Sequence, residues 1–261
     1  MGHTSEQPTA IILAAGKGTR MKSDLPKVCH PVGGRPMVCT VVDACVEAGC
    51  GRVIVVVGYK QELVREALSG YGDRVEFAVQ AEQQGTGHAV RCAEPLLSDV
   101  VESGKRHDVF VLAGDGPLIR SGTLREVLET HRASGAAATL ATSVLDNPDG
   151  YGRIVRDASG RFERIVEQKN ATEAELAIRE VNPSYYCFDA RRLFDALSRV
   201  GRDEVSGEYY VTDVPALLLG DGERVEVIDA VPPEDVLSIN TPEHLAEVDR
   251  VYRSRSAGGV P

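Results

Sequence analysis

Three runs of this chain, TAIILA (9–14), RVIVVVG (52–58) and DVFVLAGD (108–115), are apolar at nearly every position rather than at alternate ones. A strand with one wet face alternates; a strand without alternation is covered on both faces. Helical patterns lie between these runs. From Pro36 to Ala48 one face carries Met37, Val38, Val41, Val42, Cys45 and Val46, with Gly49 as a stop, and Gln61 to Leu68 turns Leu63, Val64, Ala67 and Leu68 inward. VEFAVQ (75–80) adds a strand, followed by the loop AEQQGTG and a helix through Leu97. A helix from about Gly122 to Ser134 leads into the strand AATLATSV. The alternation predicts an α/β fold: a Rossmann-like mixed, mostly parallel sheet flanked by helices.

The second half predicts a smaller, β-rich part. YGRIVRDASGRFERIVEQK reads as a hairpin around Asp157 to Gly160, REVNPSYYCFD (179–189) as a strand, GEYYVTDVPALLL as the start of a helix, and VEVID (225–229) as a strand. TPEHLAEVDRVY (241–252) reads as a helix with Thr241 as N-cap and Pro242 at its first position, and SRSAGGVP as a tail. No repeat or linker divides the chain. The expected organisation is an N-terminal tail (1–8), one domain (9–240), and a C-terminal helix and tail (241–261).

Composition narrows the function classes. A formal net charge of −10 argues against a nucleic-acid surface. No apolar run reaches the length of a membrane span, and the polar start MGHTSEQP lacks a signal-peptide core, so the expectation is a cytoplasmic protein without a membrane partner. The six cysteines form no CxxC pair, which disfavours a thiolate metal site.

Against that acidic background, LAAGKGTRMKSDLPK (13–27) places Lys17, Arg20, Lys22 and Lys27 within eleven residues, directly after the first buried strand. It matches neither G-x-G-x-x-G, since Met21 stands at the third glycine, nor the P-loop, since Gly18 follows the lysine. The chemistry still points to phosphate: a glycine-rich turn exposes backbone N–H groups, and Arg and Lys add charge. In parallel sheets ligands bind at the carboxyl ends of strands, and LAAGKGTR, QAEQQGTG and AGDGP all leave such ends.

LAAGKGTRMKSDLPK resembles the signature of the sugar-phosphate nucleotidyltransferases. Within them, the chain is most similar to the N-terminal uridyltransferase domain of bifunctional N-acetylglucosamine-1-phosphate uridyltransferases. The resemblance spans about Thr9 to Tyr252 and is carried in order by QAEQQGTGHAV, LAGDGPLI, GYGRIV, IVEQK, GEYYVTD and INTPEHL. It implies transfer of a uridylyl group from UTP to N-acetylglucosamine 1-phosphate, with release of pyrophosphate and help from Mg²⁺. By resemblance, Arg20 and Lys27 are the catalytic cations. Leu13, Ala14, Ala15, Gly16, Lys17, Gln80, Gln83, Gly85 and Thr86 hold the nucleotide. Ala113, Gly114, Gly152, Glu167, Asn182 and Thr212 hold the sugar phosphate, with Tyr209 and Tyr210 walling the pocket, and Asp115 and Asn240 bind the metal. A glutamine can pair with the imide edge of uracil as both donor and acceptor. His88 reads as structural.

The chain departs from the family pattern at Ala113 and Gly116, where larger residues are usual, and at Pro183-Ser184, where a small pair with glycine is typical. These positions border the sugar, so another sugar 1-phosphate or another nucleotide is the alternative, and a non-catalytic nucleotide-sugar sensor a further one. No hexapeptide repeat of a left-handed β-helix occurs, so acetyl transfer is not assigned to this polypeptide. The sequence carries no signal for oligomeric state.

Overall fold

The computed structural model describes residues 7–257; residues 1–6 of the expected N-terminal tail and 258–261 of the C-terminal tail lie outside the described residues. The first half runs β1 (Thr9–Ala14), β2 (Pro31–Val32), β3 (Arg35–Pro36), α1 (Met37–Glu47), β4 (Arg52–Val57), α2 (Gln61–Ala67), β5 (Val75–Val79), α3 (Thr86–Arg91), α4 (Ser98–Glu102), β6 (Asp108–Ala113), α5 (Ser121–Ser134) and β7 (Ala138–Val144). The second half runs β8 (Gly152–Arg156), β9 (Phe162–Val166), α6 (Glu173–Leu176), β10 (Glu180–Asp189), α7 (Ala190–Leu197), α8 (Val214–Gly220), β11 (Val225–Asp229) and α9 (Pro242–Ala257).

The apolar runs do what their lack of alternation requires. Along β1, Ala10, Ile12 and Ala14 join one hydrophobic cluster, while Ile11 joins a second on the opposite face. β4 divides the same way, Val53, Val55 and Val57 against Ile54 and Val56, and so does β6, Phe110 and Leu112 against Val109 and Val111. Helices cover both faces.

The main sheet is ordered β11-β7-β10-β6-β1-β4-β5, with β8 and β9 attached beside β10. The pairs β6–β1, β1–β4 and β4–β5 are parallel, whereas β10 runs antiparallel to both β6 and β7. The chain proceeds outward from β1 to β4 and β5, then returns to the other side of β1 as β6. That reversal opens a crevice between the loops leaving β1 and β6, where open α/β sheets bind ligands.

The structure corrects several local expectations. The helix expected through Leu97 stops at Arg91; a 3₁₀ turn, Glu94–Leu97, intervenes before α4. Pro95 supplies the break, since it has no N–H and disfavours helical backbone before it. α7 was not anticipated, although its buried Ala190, Leu193, Phe194 and Leu197 have helical spacing and Asp189 caps it through Arg192 N. α9 does start after Thr241, whose Oγ1 accepts from His244 N at 3.3 Å, but it continues past Tyr252 to Ala257. Its last turns are held by Arg253 donating to Asp249 (2.7 Å) and by Arg255, which pairs with buried Asp235 and reaches the Leu118 carbonyl.

Candidate functional site

A cavity of about 510 Å³ opens at the carboxyl edge of the sheet, between the loops after β1 and β6 and under the β8–β9 hairpin. Of the residues singled out from sequence, Leu13, Ala14, Ala15, Gly16, Arg20, Lys27, Gln80, Gln83, Gly85, Thr86, Ala113, Asp115, Gly152, Glu167, Asn182, Thr212 and Asn240 line it.

At one end the cations meet two oxygens. The Lys27 ammonium pairs with Asp115 Oδ2 and donates to Asn240 Oδ1 at 2.7 Å; Arg20 Nη2 donates to the same amide oxygen at 2.7 Å. The basic loop folds tightly to achieve this. Gly18 sits at φ +69°, and a Cβ there would lie 2.6 Å from Lys27 Cβ, so only glycine lets the turn close against the lysine. Gly16, Lys17 and Gly18 make no backbone N–H bond among the described residues, which leaves these donors for an anion. Asn240 is placed from the far end of the chain. Ile239 N donates to the Asp115 carbonyl (3.1 Å), Tyr151 Oη bridges Val236 O and Ser238 N, and Asn240 Nδ2 donates to Ser238 Oγ (3.1 Å).

The loop after β5 forms the next wall. Its backbone is zipped to the 208–211 segment: Gly87 N donates to Tyr209 O (2.7 Å) and Tyr209 N to Gln84 O (2.9 Å). The Thr86 hydroxyl oxygen accepts from Val211 N at 3.1 Å instead of capping α3. Gln80 Nε2 donates to Gly85 O (3.0 Å) and lies 3.1 Å from His88 Nδ1, so this glutamine presents an acceptor, Oε1, rather than the donor–acceptor pair expected from sequence. Gly85 has φ +96°, and a Cβ there would lie 2.5 Å from Tyr209 O. Gly85→Ala is therefore expected to cost about 2 kcal/mol or more in stability, through backbone strain plus the collision, read as a shifted urea midpoint.

The opposite end is walled by the second half of the chain. Thr212 Oγ1 donates to Glu167 Oε1 at 3.0 Å, and burial raises the Glu167 pKa despite that bond. Burial and the neighbouring Glu167 raise Asp213 as well. Asn182 donates to Tyr186 Oη (2.6 Å) and accepts from Ser184 N (3.1 Å). Ser184 has φ +66° at a bulge in β10, a conformation costing a non-glycine residue roughly 1–3 kcal/mol. Opposite, a Cβ on Gly116 would sit 3.6 Å from Tyr185 Oη, so the glycine leaves room that a larger side chain would fill.

Two expected contacts fall outside the cavity wall. The Lys17 ammonium sits 5.2 Å over the Tyr59 ring, and Gly114 binds its N–H to Leu13 O at 3.0 Å, tying the β6 exit to β1. Tyr209 also faces away, with Arg202 donating to its hydroxyl, whereas Tyr210 lines the cavity. Sequence reasoning missed Tyr151, Tyr185, Glu208 and Ser238 as wall residues. Tyr185 looks like one more core position of a buried strand. Glu208 and Tyr151 had a readable signal, lying inside the motifs GEYYVTD and GYGRIV.

Comparison with known proteins agrees with this geometry. The profile of the family described as MobA-like NTP transferase domain matches residues 10–210. The Bifunctional protein GlmU of Pelobacter propionicus is 45% identical over 250 residues, covering 96% of this chain and 53% of that protein. Its counterpart in Geobacter metallireducens is 48% identical over 246 residues, covering 94% and 50%. The chain thus spans about half the length of the curated relatives it matches. Among solved structures, UDP-glucose pyrophosphorylase complexed with UDP-glucose superposes with a TM-score of 0.73 at 17% identity, over 95% of this chain and 99% of that one; the apo form gives 0.75 at 17%, over 96% and 99%. At that identity the likeness concerns the fold, a nucleotide-diphospho-sugar transferase arrangement.

Proposed function

The chain belongs to the family of MobA-like NTP transferase domains, and from that premise we propose that it transfers a uridylyl group from UTP to N-acetylglucosamine 1-phosphate, releasing pyrophosphate. The observation that carries the reading is the convergence of Arg20, Lys27, Asp115 and Asn240 at one end of the crevice, with a polar pocket for a sugar at the other. An oxygen of the sugar phosphate attacks the α-phosphorus, the bond to the β-phosphate oxygen breaks, and pyrophosphate carries that electron pair away. The attacking phosphate is ionised near neutrality, since its second pKa is about 6, so no side chain has to remove a proton. Catalysis is positioning plus charge stabilisation. Arg20 serves the leaving pyrophosphate and Lys27 the α-phosphate.

The donor set also suits Mg²⁺. Asp115 Oδ2 and Asn240 Oδ1 already face one cation, the Lys27 ammonium. One carboxylate and one amide oxygen are the protein share that Mg²⁺ commonly takes, with phosphates and water completing its shell. Among the described residues no group of three or more His, Cys, Asp or Glu could hold a metal, which fits an ion brought in with the nucleotide. Asp115 and Asn240 would hold it, and when bound it supplies charge neutralisation between the two phosphate groups.

Uracil goes against the loop after β5. Its imide N3–H can donate to Gln80 Oε1, where cytosine would present a lone pair. The sugar goes against Gly152, Glu167, Asn182 and Thr212. Pyrophosphate release across UTP, CTP, dTTP and GTP, each with a panel of sugar 1-phosphates, tests the reading. UTP with N-acetylglucosamine 1-phosphate is expected to lead, with CTP about tenfold poorer or worse. Preference for CTP, whose N3 carries a lone pair, would remove the Gln80 assignment, and preference for another sugar would transfer the reading to that substrate.

Glu167 gives a pH prediction. Its folded-state pKa is raised, so the folded chain holds this proton more tightly than the unfolded one; the associated stability is present below the ordinary value of 4.5 and is lost as pH rises through the folded value. For activity the sign reverses, because a sugar hydroxyl needs the ionised carboxylate as acceptor. kcat/KM for the sugar phosphate is expected to fall, on acidification, above the ordinary carboxylate range. Glu167→Gln should flatten that limb while leaving the substrate phosphate's own ionisation, near pH 6, in place. Identical profiles for both proteins would exclude a sugar-binding role for the carboxylate.

A further inference from the structure

A second cavity, of about 670 Å³, opens beside the first, and the two share Gly150. Its wall includes Asp149, Arg153, Gln168, Lys169 and Leu176, and none of Arg20, Lys27, Asp115 or Asn240. Arg153 is the unusual member. It lies on β8, is only 2% exposed, and makes no ion pair with a carboxylate among the described residues. One guanidinium nitrogen donates to the Tyr151 carbonyl, another reaches Gln168 Oε1 at a long 3.4 Å, and Nε is buried without a partner. The acid on the same wall, Asp149, is engaged by Gln168 Nε2 at 2.6 Å. A guanidinium stays charged at any physiological pH, and burying it with no carboxylate in ion-pair contact is costly; Asp149 offsets that cost only in part. Lys169 also borders this cavity, but its ammonium lies 4.8 Å over the ring of Tyr210, a residue of the main cavity's wall.

We propose that this cavity is a binding site for a small phosphate-bearing ligand, with Arg153 as its anchor, separate from the phosphate end of the main cavity. A phosphate oxygen at Nη2 would replace the long Gln168 contact with a shorter, charge-assisted bond. The volume exceeds what a lone phosphate needs, and Leu176 offers an apolar wall for the carrier of that phosphate. Repulsion from Asp149 is blunted by its hydrogen bond to Gln168.

The test separates the two sites. Arg20→Ala combined with Lys27→Ala removes the cations of the main cavity, and inorganic phosphate is titrated calorimetrically into that double variant. Binding is expected to persist, and to weaken about tenfold to a hundredfold on adding either Arg153→Gln or Leu176→Glu. Leu176→Glu leaves Arg153 in place and puts a negative charge at the wall, so it carries the test by itself where Arg153→Gln does not fold. Absence of phosphate binding in the double variant would overturn the proposal. Binding left unchanged by Leu176→Glu in a folded protein would overturn it equally.

Discussion

Lys27→Ala is expected to lower kcat by on the order of 10²–10³ while the chain stays folded. The lysine is the hub of the cationic end: it pairs with Asp115, shares the Asn240 oxygen with Arg20, and packs its stem against Gly18. A compact ammonium at the reacting phosphorus stabilises charge that grows only as the bond breaks, so its loss falls on kcat more than on KM. Folding should tolerate the change, because the Lys27 and Asp115 side chains keep 15% and 22% of their exposure and water can solvate the remaining carboxylate. Steady-state kinetics with circular dichroism check this. A rate within threefold of the parent would take Lys27 out of the reaction.

Asp115→Asn should be more damaging, by on the order of 10³ or more, because the several kcal/mol of charge stabilisation that a metal lends to a phosphoryl group depends on its carboxylate ligand. The substitution preserves size and hydrogen-bonding capacity, which isolates the charge. Its signature is a metal requirement displaced to higher Mg²⁺ together with the lost rate, since Asn240 and the phosphates still supply oxygens. An unchanged Mg²⁺ dependence would assign Asp115 to holding Lys27 rather than the metal.

The buried parallel strands were legible because a strand covered on both faces leaves no alternation to misread. That the loops leaving them meet on one edge followed from the same pattern; the order of the strands in the sheet did not. The basic loop was legible for a different reason: four cations run against the acidic balance of the whole chain. Contacts made by backbone were not legible. Asn240 reaches the cluster because Ile239 N–H meets the Asp115 carbonyl and because α9 is pinned by Asp235 to Arg120 and Arg255, none of which leaves a local pattern. Gln80 shows the same limit. Its sequence offers donor and acceptor alike, and only the fold commits Nε2 to Gly85.

The sugar end was the least legible part. Its wall is assembled from β8, β9, β10 and the 208–212 segment, so its shape depends on register. Ser184 in a left-handed conformation, beside Asn182 and across from the space left by Gly116, makes this end both strained and roomy. Backbone strain of this kind gathers at functional sites, and under the proposed function this is the region that would decide substrate choice.

The central claim is that this crevice joins a nucleotide to a sugar phosphate. It is tested most directly by incubating the protein with UTP, N-acetylglucosamine 1-phosphate and Mg²⁺ and following the products by phosphorus resonance. The account predicts equal amounts of pyrophosphate and UDP-N-acetylglucosamine, each dependent on both substrates. Hydrolysis of UTP without incorporation of the sugar phosphate, or no turnover, would contradict it.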